Sequence, residues 1–266
     1  MKNFDDYSML SFERRGKVLT IKIDHAEGRN AVNDALHHEL SRVFFDAQDD
    51  EESDVIVLTG VGKWFCAGGD MNWFQECIDS PAKWRRNVTI AKRITSSLLD
   101  VEKPVICRLN GAAAGLGASL ALLCDITIAA DTAVIGDPHV KMGLVAGDGG
   151  IISWPRLVGM ARAKEMLLTG RMLSAAEAVA LGLINHAVAS HELDSKVDAL
   201  ADELASGATW AIRWTKTVMN LELKQSNVLT ADAALGYETI TNHMRHHQEA
   251  VCAFKEKRKP SFEPER

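Results

Sequence analysis

The sequence predicts an α/β fold followed by a helical C-terminal part, and three observations carry that expectation. Short apolar, β-branched runs alternate with amphipathic stretches through the first half of the chain. Glycines crowd the ends of two such runs, at Gly68-Gly69 and at Gly115-Leu116-Gly117. Beyond Ser153 the strand signal fades and helical spacing takes over.

Taken in order, strands are expected at Met9–Glu13, Val18–Ile23, Val55–Thr59, Val105–Leu109 and Ile126–Ala129. One helix is expected from about Asn33 to Asp49 and another from Ser80-Pro81 to Leu99, where proline suits the first helical turn. Gly111–Cys124 carries no charge but is shorter than the roughly 18 to 20 residues that span a bilayer, so it reads as a buried helix ended by Asp125. Later helices are expected at Ala161–Leu168, after the capping box Ser174-x-x-Glu177, and in long patterns from His191 onward. The division that follows is an α/β core over 1–195 and a helical region over 196–266.

Bulk properties narrow the function. A chain of 266 residues with 47% hydrophobic content can bury a sizeable core, and its net charge of -6 argues against nucleic acid as the main partner. The basic run Lys255–Lys259 is isolated and reads as a solvated tail or a phosphate contact. Five cysteines, odd in number and without a CxxC pair, suggest neither a disulfide framework nor a zinc site, but reduced thiols in a cytoplasmic protein. The stretch Met1–Leu10 carries acids and lacks the apolar core of a signal peptide.

Two segments carry chemistry. Asn110–Asp125 (NGAAAGLGASLALLCD) puts small residues between a strand and a helix, so that amides at the helix start can point at an anionic oxygen. Lys63–Met71 (KWFCAGGDM) makes the same offer directly after another strand. Two amide donors from two loops form an oxyanion hole. In this order and spacing the segments resemble the crotonase (enoyl-CoA hydratase/isomerase) superfamily. The likeness extends to His25–Leu36 (HAEGRNAVNDAL), Thr169–Arg171 with Ser174–Ala178, Gly182–Asn185, and Phe254–Pro260.

The resemblance implies a crotonase-like spiral of ββα units with a helical C-terminal trimerisation region. It also implies an acyl-CoA thioester as substrate, no membrane or nucleic-acid partner, and assembly as a homotrimer or a hexamer (dimer of trimers). No metal or permanently bound cofactor is expected; coenzyme A enters only as part of the substrate. The amides of Gly69 and Leu116 match the family's oxyanion donors. Arg29, Ala31, Ala67, Gly69, Asp70, Met71 and Leu116 fall on the segments that meet CoA and substrate.

The catalytic positions depart from the family. Ser119 and His139 stand where its hydratases carry glutamates, and a serine hydroxyl alone neither activates water nor delivers a proton. His139, in Gly-Asp-Pro-His, and Asp148, in Ala-Gly-Asp-Gly-Gly, remain as the ionisable pair and look like the His/Asp arrangement of the superfamily's carbon–carbon-bond hydrolases. The bland alternatives are a hydrogen-bonded structural histidine and, for Asp148, an N-cap of the following helix. Ser119 reads as a polar pocket wall, or as the nucleophile of a displaced Ser/His/Asp triad. His243, His246 and His247 have one-face metal-ligand spacing but no second cluster, and read as solvated helix surface. Isomerase-like or atypical lyase chemistry on an acyl-CoA is expected. The rivals are a hydrolase of β-keto or thioester carbonyls and a non-catalytic acyl-CoA-binding scaffold.

Overall fold

The computed structural model describes residues 4–263, so the start of Met1–Leu10 and the end of the 196–266 region lie outside it. The chain opens with β1 (Leu10–Arg15), β2 (Val18–Ile23), α1 (Asp34–Gln48), β3 (Val55–Gly60), β4 (Trp64–Cys66), α2 (Met71–Asp79) and α3 (Pro81–Asp100). It continues through β5 (Val105–Leu109), β6 (Ala112–Ala114), α4 (Leu116–Leu123), β7 (Ile126–Ala130), β8 (Val134–Gly136), α5 (Gly150–Val158) and α6 (Met160–Thr169). The last elements are β9 (Met172–Ser174), α7 (Ala175–Ala180), β10 (His186–Val188), α8 (Leu193–Ser206), α9 (Thr209–Asn242) and α10 (Arg245–Lys255).

Two sheets result. The larger runs β1-β2-β3-β5-β7-β10, with β1/β2 antiparallel and every later pair parallel. The smaller runs β4-β6-β8-β9, parallel up to its antiparallel β8/β9 edge. β3, β5 and β7 each lie in the large sheet, and the strand that follows each, β4, β6 or β8, lies in the small one. The chain therefore winds as a spiral that adds one strand to each sheet per turn. β3 is buried at every position, as a parallel strand covered on both faces must be, which is why its residues are a continuous apolar run rather than an alternation. α8 packs on β2, β3, β5 and β7, and α9 packs along α3 and α5. Lys216 of α9 ties that helix to the core through Asp125 Oδ2 at 2.7 Å and the Lys103 carbonyl at 2.8 Å.

The long elements match the sequence expectation closely. Asn33 and Ser80 cap α1 and α3, and Ser174 with Glu177 forms the capping box of α7. Three expectations need correction. The uncharged stretch Gly111–Cys124 is not one helix, because Ala112–Ala114 is β6 and the helix begins only at Leu116. Its alanines, helix formers by propensity, are claimed by pairing with β4 and β8. Strands also persist beyond Ser153, as β9 and β10, each too short to show a period. The three histidines do not share one helix: His243 ends α9, and His246 and His247 lie on α10. His247 is fully buried rather than solvated, with Nδ1 2.7 Å from the Met142 carbonyl and its ring edge-on to Phe74. The expected boundary at 195/196 falls inside α8. All five cysteines are free thiols, four buried and Cys252 exposed on α10. Among the described residues no helix is long and apolar enough to cross a membrane.

Candidate active site

The spiral explains the site. Because β4, β6 and β8 are parallel neighbours, the loops leaving their C-terminal ends emerge side by side: Gly68-Gly69, Gly115-Leu116 and Asp137-Pro138-His139. Backbone contacts hold the three together. The Gly115 amide donates to the Gly136 carbonyl at 3.1 Å, and a Cβ on Gly117 would sit 2.4 Å from the Cys66 carbonyl oxygen. Gly115 adopts φ 54°, which disfavours other residues, and a side chain there would reach within 3.2 Å of the His139 ring.

Two amides are left facing this junction. Leu116 is the first residue of α4, where a helix supplies no acceptor for its N–H. Around Gly69, the Val32 amide donates to the Gly68 carbonyl at 2.7 Å and the Asp70 amide donates to the Val32 carbonyl at 3.0 Å. That parallel bridge turns Gly69's own N–H to the side away from Val32. Gly69 and Leu116 both line the pocket at this junction.

His139 is 8% exposed and held at both ring nitrogens. Nε2 faces Asp148 Oδ2 at 3.2 Å, and Nδ1 makes a very short contact with Asp137 Oδ1. Ser119 Oγ donates to Asp148 Oδ1 at 3.0 Å. Burial opposes charge on the ring, but the two carboxylates outweigh it and raise the His139 pKa well above the usual histidine value. The two flanking carboxylates thus favour the charged form of the ring. Asp148 is not the helix cap: the residue preceding α5 is Gly149, with no side-chain cap bond. Ser119 bonds to the carboxylate and not to the ring, so the Ser/His/Asp triad order is not formed. Asp137, His139 and Asp148 also bring ligand atoms within 4.8 Å of one another. Both ring nitrogens already face carboxylates, so a cation here would have to displace one of those bonds.

The pocket in front of these groups is walled by Gly69, Gly115 and Leu116, by Trp73 and Phe74 of α2, by Trp84 and Asn87 of α3, and by Leu235 and Glu238 of α9. Its volume is about 60 Å³, room for a few waters at roughly 10–15 Å³ each. Glu238 was not expected. Burial, with the nearby Asp148 and Asp137 charges partly offset by His139, pushes its pKa up to about 8, so near neutral pH it carries a proton. Sequence could have flagged Asp137, which shares a tetrapeptide with His139. It offers no signal for Glu238, which arrives from a distant helix without a local motif.

The remaining expected binding residues lie on two neighbouring segments, 29–31 and 67–71. The Ala67 amide donates to the Arg29 carbonyl at 3.3 Å, joining the two segments. Arg29 rests over the Trp64 ring at 5.4 Å, and Ala31 is buried beside Val32. Asp70 caps α2, accepting from the Asn72 and Trp73 amides at 2.9 and 3.0 Å, and Met71 is that helix's first residue.

A two-sheet ββα spiral whose loops gather buried acids and a histidine around a small pocket defines an enzyme of the crotonase type. The chain belongs to the enoyl-CoA hydratase/isomerase family, whose model matches residues 13–265. It is 32% identical to a short-chain-enoyl-CoA hydratase of Clostridium acetobutylicum, over 93% of this chain and 94% of that protein. An enoyl-CoA hydratase/isomerase structure from Mycobacterium paratuberculosis superposes with a TM-score of 0.89 at 32% identity, covering 93% of this chain and 99% of that one. A β-diketone hydrolase from the cyanobacterium Anabaena sp. PCC 7120, solved with (S)-3-oxocyclohexyl acetic acid, superposes at 0.84 with 30% identity, covering 90% and 96%.

Proposed function

We propose that this enzyme hydrolyses the carbon–carbon bond of a β-keto acyl-CoA. The observation that carries the reading is a pocket with two separate proton carriers, the Asp148–His139 pair and Glu238, in place of the hydratase glutamates. Hydrolysis needs both: one to take a proton from water, one to return a proton to carbon. Water attacks the β-ketone and gives its proton to the Asp148 carboxylate, which the His139 ring orients through its Nε2. The bond between the β-carbon and the α-carbon then breaks, leaving its electrons on the thioester as an enolate held by the Gly69 and Leu116 amides. Glu238 protonates the α-carbon. An acid and acetyl-CoA result, with the water oxygen in the acid. Ser119 supports Asp148. The Arg29–Met71 surface meets the CoA, and no resident cofactor is called for. The structural likeness to a β-diketone hydrolase supports this reading.

One observation favours the simpler chemistry that the sequence suggests. Ionised above its pKa of about 8, Glu238 supplies the single base that a double-bond isomerase needs. Incubation with enoyl-, β-keto- and aryl-CoA thioesters in ¹⁸O-water, read by mass spectrometry, separates the two. Hydrolysis gives labelled acid and acetyl-CoA. A shifted double bond at unchanged mass supports the isomerase instead, and water addition without cleavage rejects both.

A further inference from the structure

Two polar side chains line the pocket but have no part in the chemistry above. His37 of α1 is 3% exposed, and its Nδ1 is fully enclosed without a hydrogen-bond partner among the described residues. Its ring stands 5.0 Å from that of Trp73. Asn87 of α3, also buried, donates through Nδ2 to Cys77 Sγ at 3.2 Å. Apart from His139, Asp148 and Glu238, the rest of the lining is apolar and includes Val32, Trp73, Phe74, Trp84, Val88 and Leu235.

A plain alkyl pocket has no use for an imidazole. Burying a polar nitrogen without a partner destabilises the folded protein, so such groups are expected to meet a ligand or a water. Burial also pushes the His37 pKa down to about 4. The ring is therefore neutral at working pH and offers a hydrogen bond without a charge. A neutral oxygen is the less costly partner to bury against this wall, because it brings no charge into it.

We infer that His37 is a specificity-determining residue that hydrogen-bonds a second, neutral oxygen, keto or hydroxyl, on the acyl chain of the substrate. The inference rests on reading the pocket as the acyl site. It makes the preferred substrate an oxygenated acyl group and not a hydrocarbon one. A site built around a hydrogen bond discriminates strongly, because the analogue lacking the oxygen leaves the protein's own polar atom unpaired.

The test uses two thioesters of similar shape, 4-oxopentanoyl-CoA and 4-methylpentanoyl-CoA, with affinity measured by calorimetry. Neither is a β-dicarbonyl, so cleavage plays no part in the result. The wild type should bind the oxo compound about tenfold or more tightly. His37→Leu should bring the ratio to about one or reverse it, and His37→Gln, which keeps a donor, should retain part of the preference. His37→Leu should also keep or raise Tm, since it removes an unpaired buried nitrogen; a histidine serving only the fold would lose stability instead. Equal affinities in the wild type, or a ratio unchanged in His37→Leu, overturn the inference. Failure of β-keto cleavage alongside an intact oxo preference removes only the hydrolytic reading, and binding of neither thioester removes both.

Discussion

Asp137 determines what His139 can do. With one carboxylate the imidazole would have a free nitrogen; with two it has none, and the proton it gives or takes belongs to the Asp148–His139 pair. His139→Ala is expected to lower kcat by roughly 10² to 10⁴ with CoA affinity nearly intact, measured by steady-state kinetics and calorimetry. Asp137→Asn removes one of the charges that hold the imidazolium, so the imidazole should titrate at lower pH, read by NMR and by the pH–rate profile. Glu238 makes a stability prediction. Folded, it keeps its proton up to about 8, whereas the unfolded chain releases it near 4.5. Between those values the folded state binds more protons, so this group's contribution to stability falls as pH rises and is fully unfavourable above about 8. Glu238→Gln should therefore gain Tm relative to wild type progressively across that window, and thermal melts at several pH values will check it.

Helix α2 connects element to site. It carries Trp73 and Phe74 into the pocket wall, and Asp70 satisfies two of its first amides. Asp70→Ala should cost about 1 kcal/mol in urea unfolding and raise KM, because the aromatic wall loosens with the first turn. Elements of this kind set how much the sequence revealed. β2 and β5 lie where their apolar runs end, and α1, α3 and α7 start at residues whose side chains make caps. β6 was hidden because three alanines carry no strand signal and gain their conformation from neighbours on both sides. β9 and β10, three residues each, are fixed by pairing alone. The same physics divides the site. His139 and Asp148 stood out because they sit in short glycine-flanked motifs. Glu238 and His37 did not, because a single polar residue on a helix declares nothing until packing decides which way it faces.

At the scale of the molecule, α9 leaves Trp210, Trp214, Met219, Val228 and Leu229 well exposed, and Met160 and Leu168 of α6 share an open groove with Leu229. Apolar surface of this extent needs cover. Light scattering is expected to give a mass of three or six chains, as the family resemblance implies, and Met160→Lys with Leu229→Lys should shift it toward the single chain. A monomer in the wild type would contradict that expectation. A different use follows from the thiols. With four of the five cysteines enclosed, a maleimide dye should react at one place, Cys252, on the same helix as the His247 that packs against Phe74 in the pocket wall. A dye at Cys252 is therefore expected to change its fluorescence when a ligand moves Phe74, and to report pocket occupancy before any reaction is known; an unchanged signal with a bound acyl-CoA would reject that coupling.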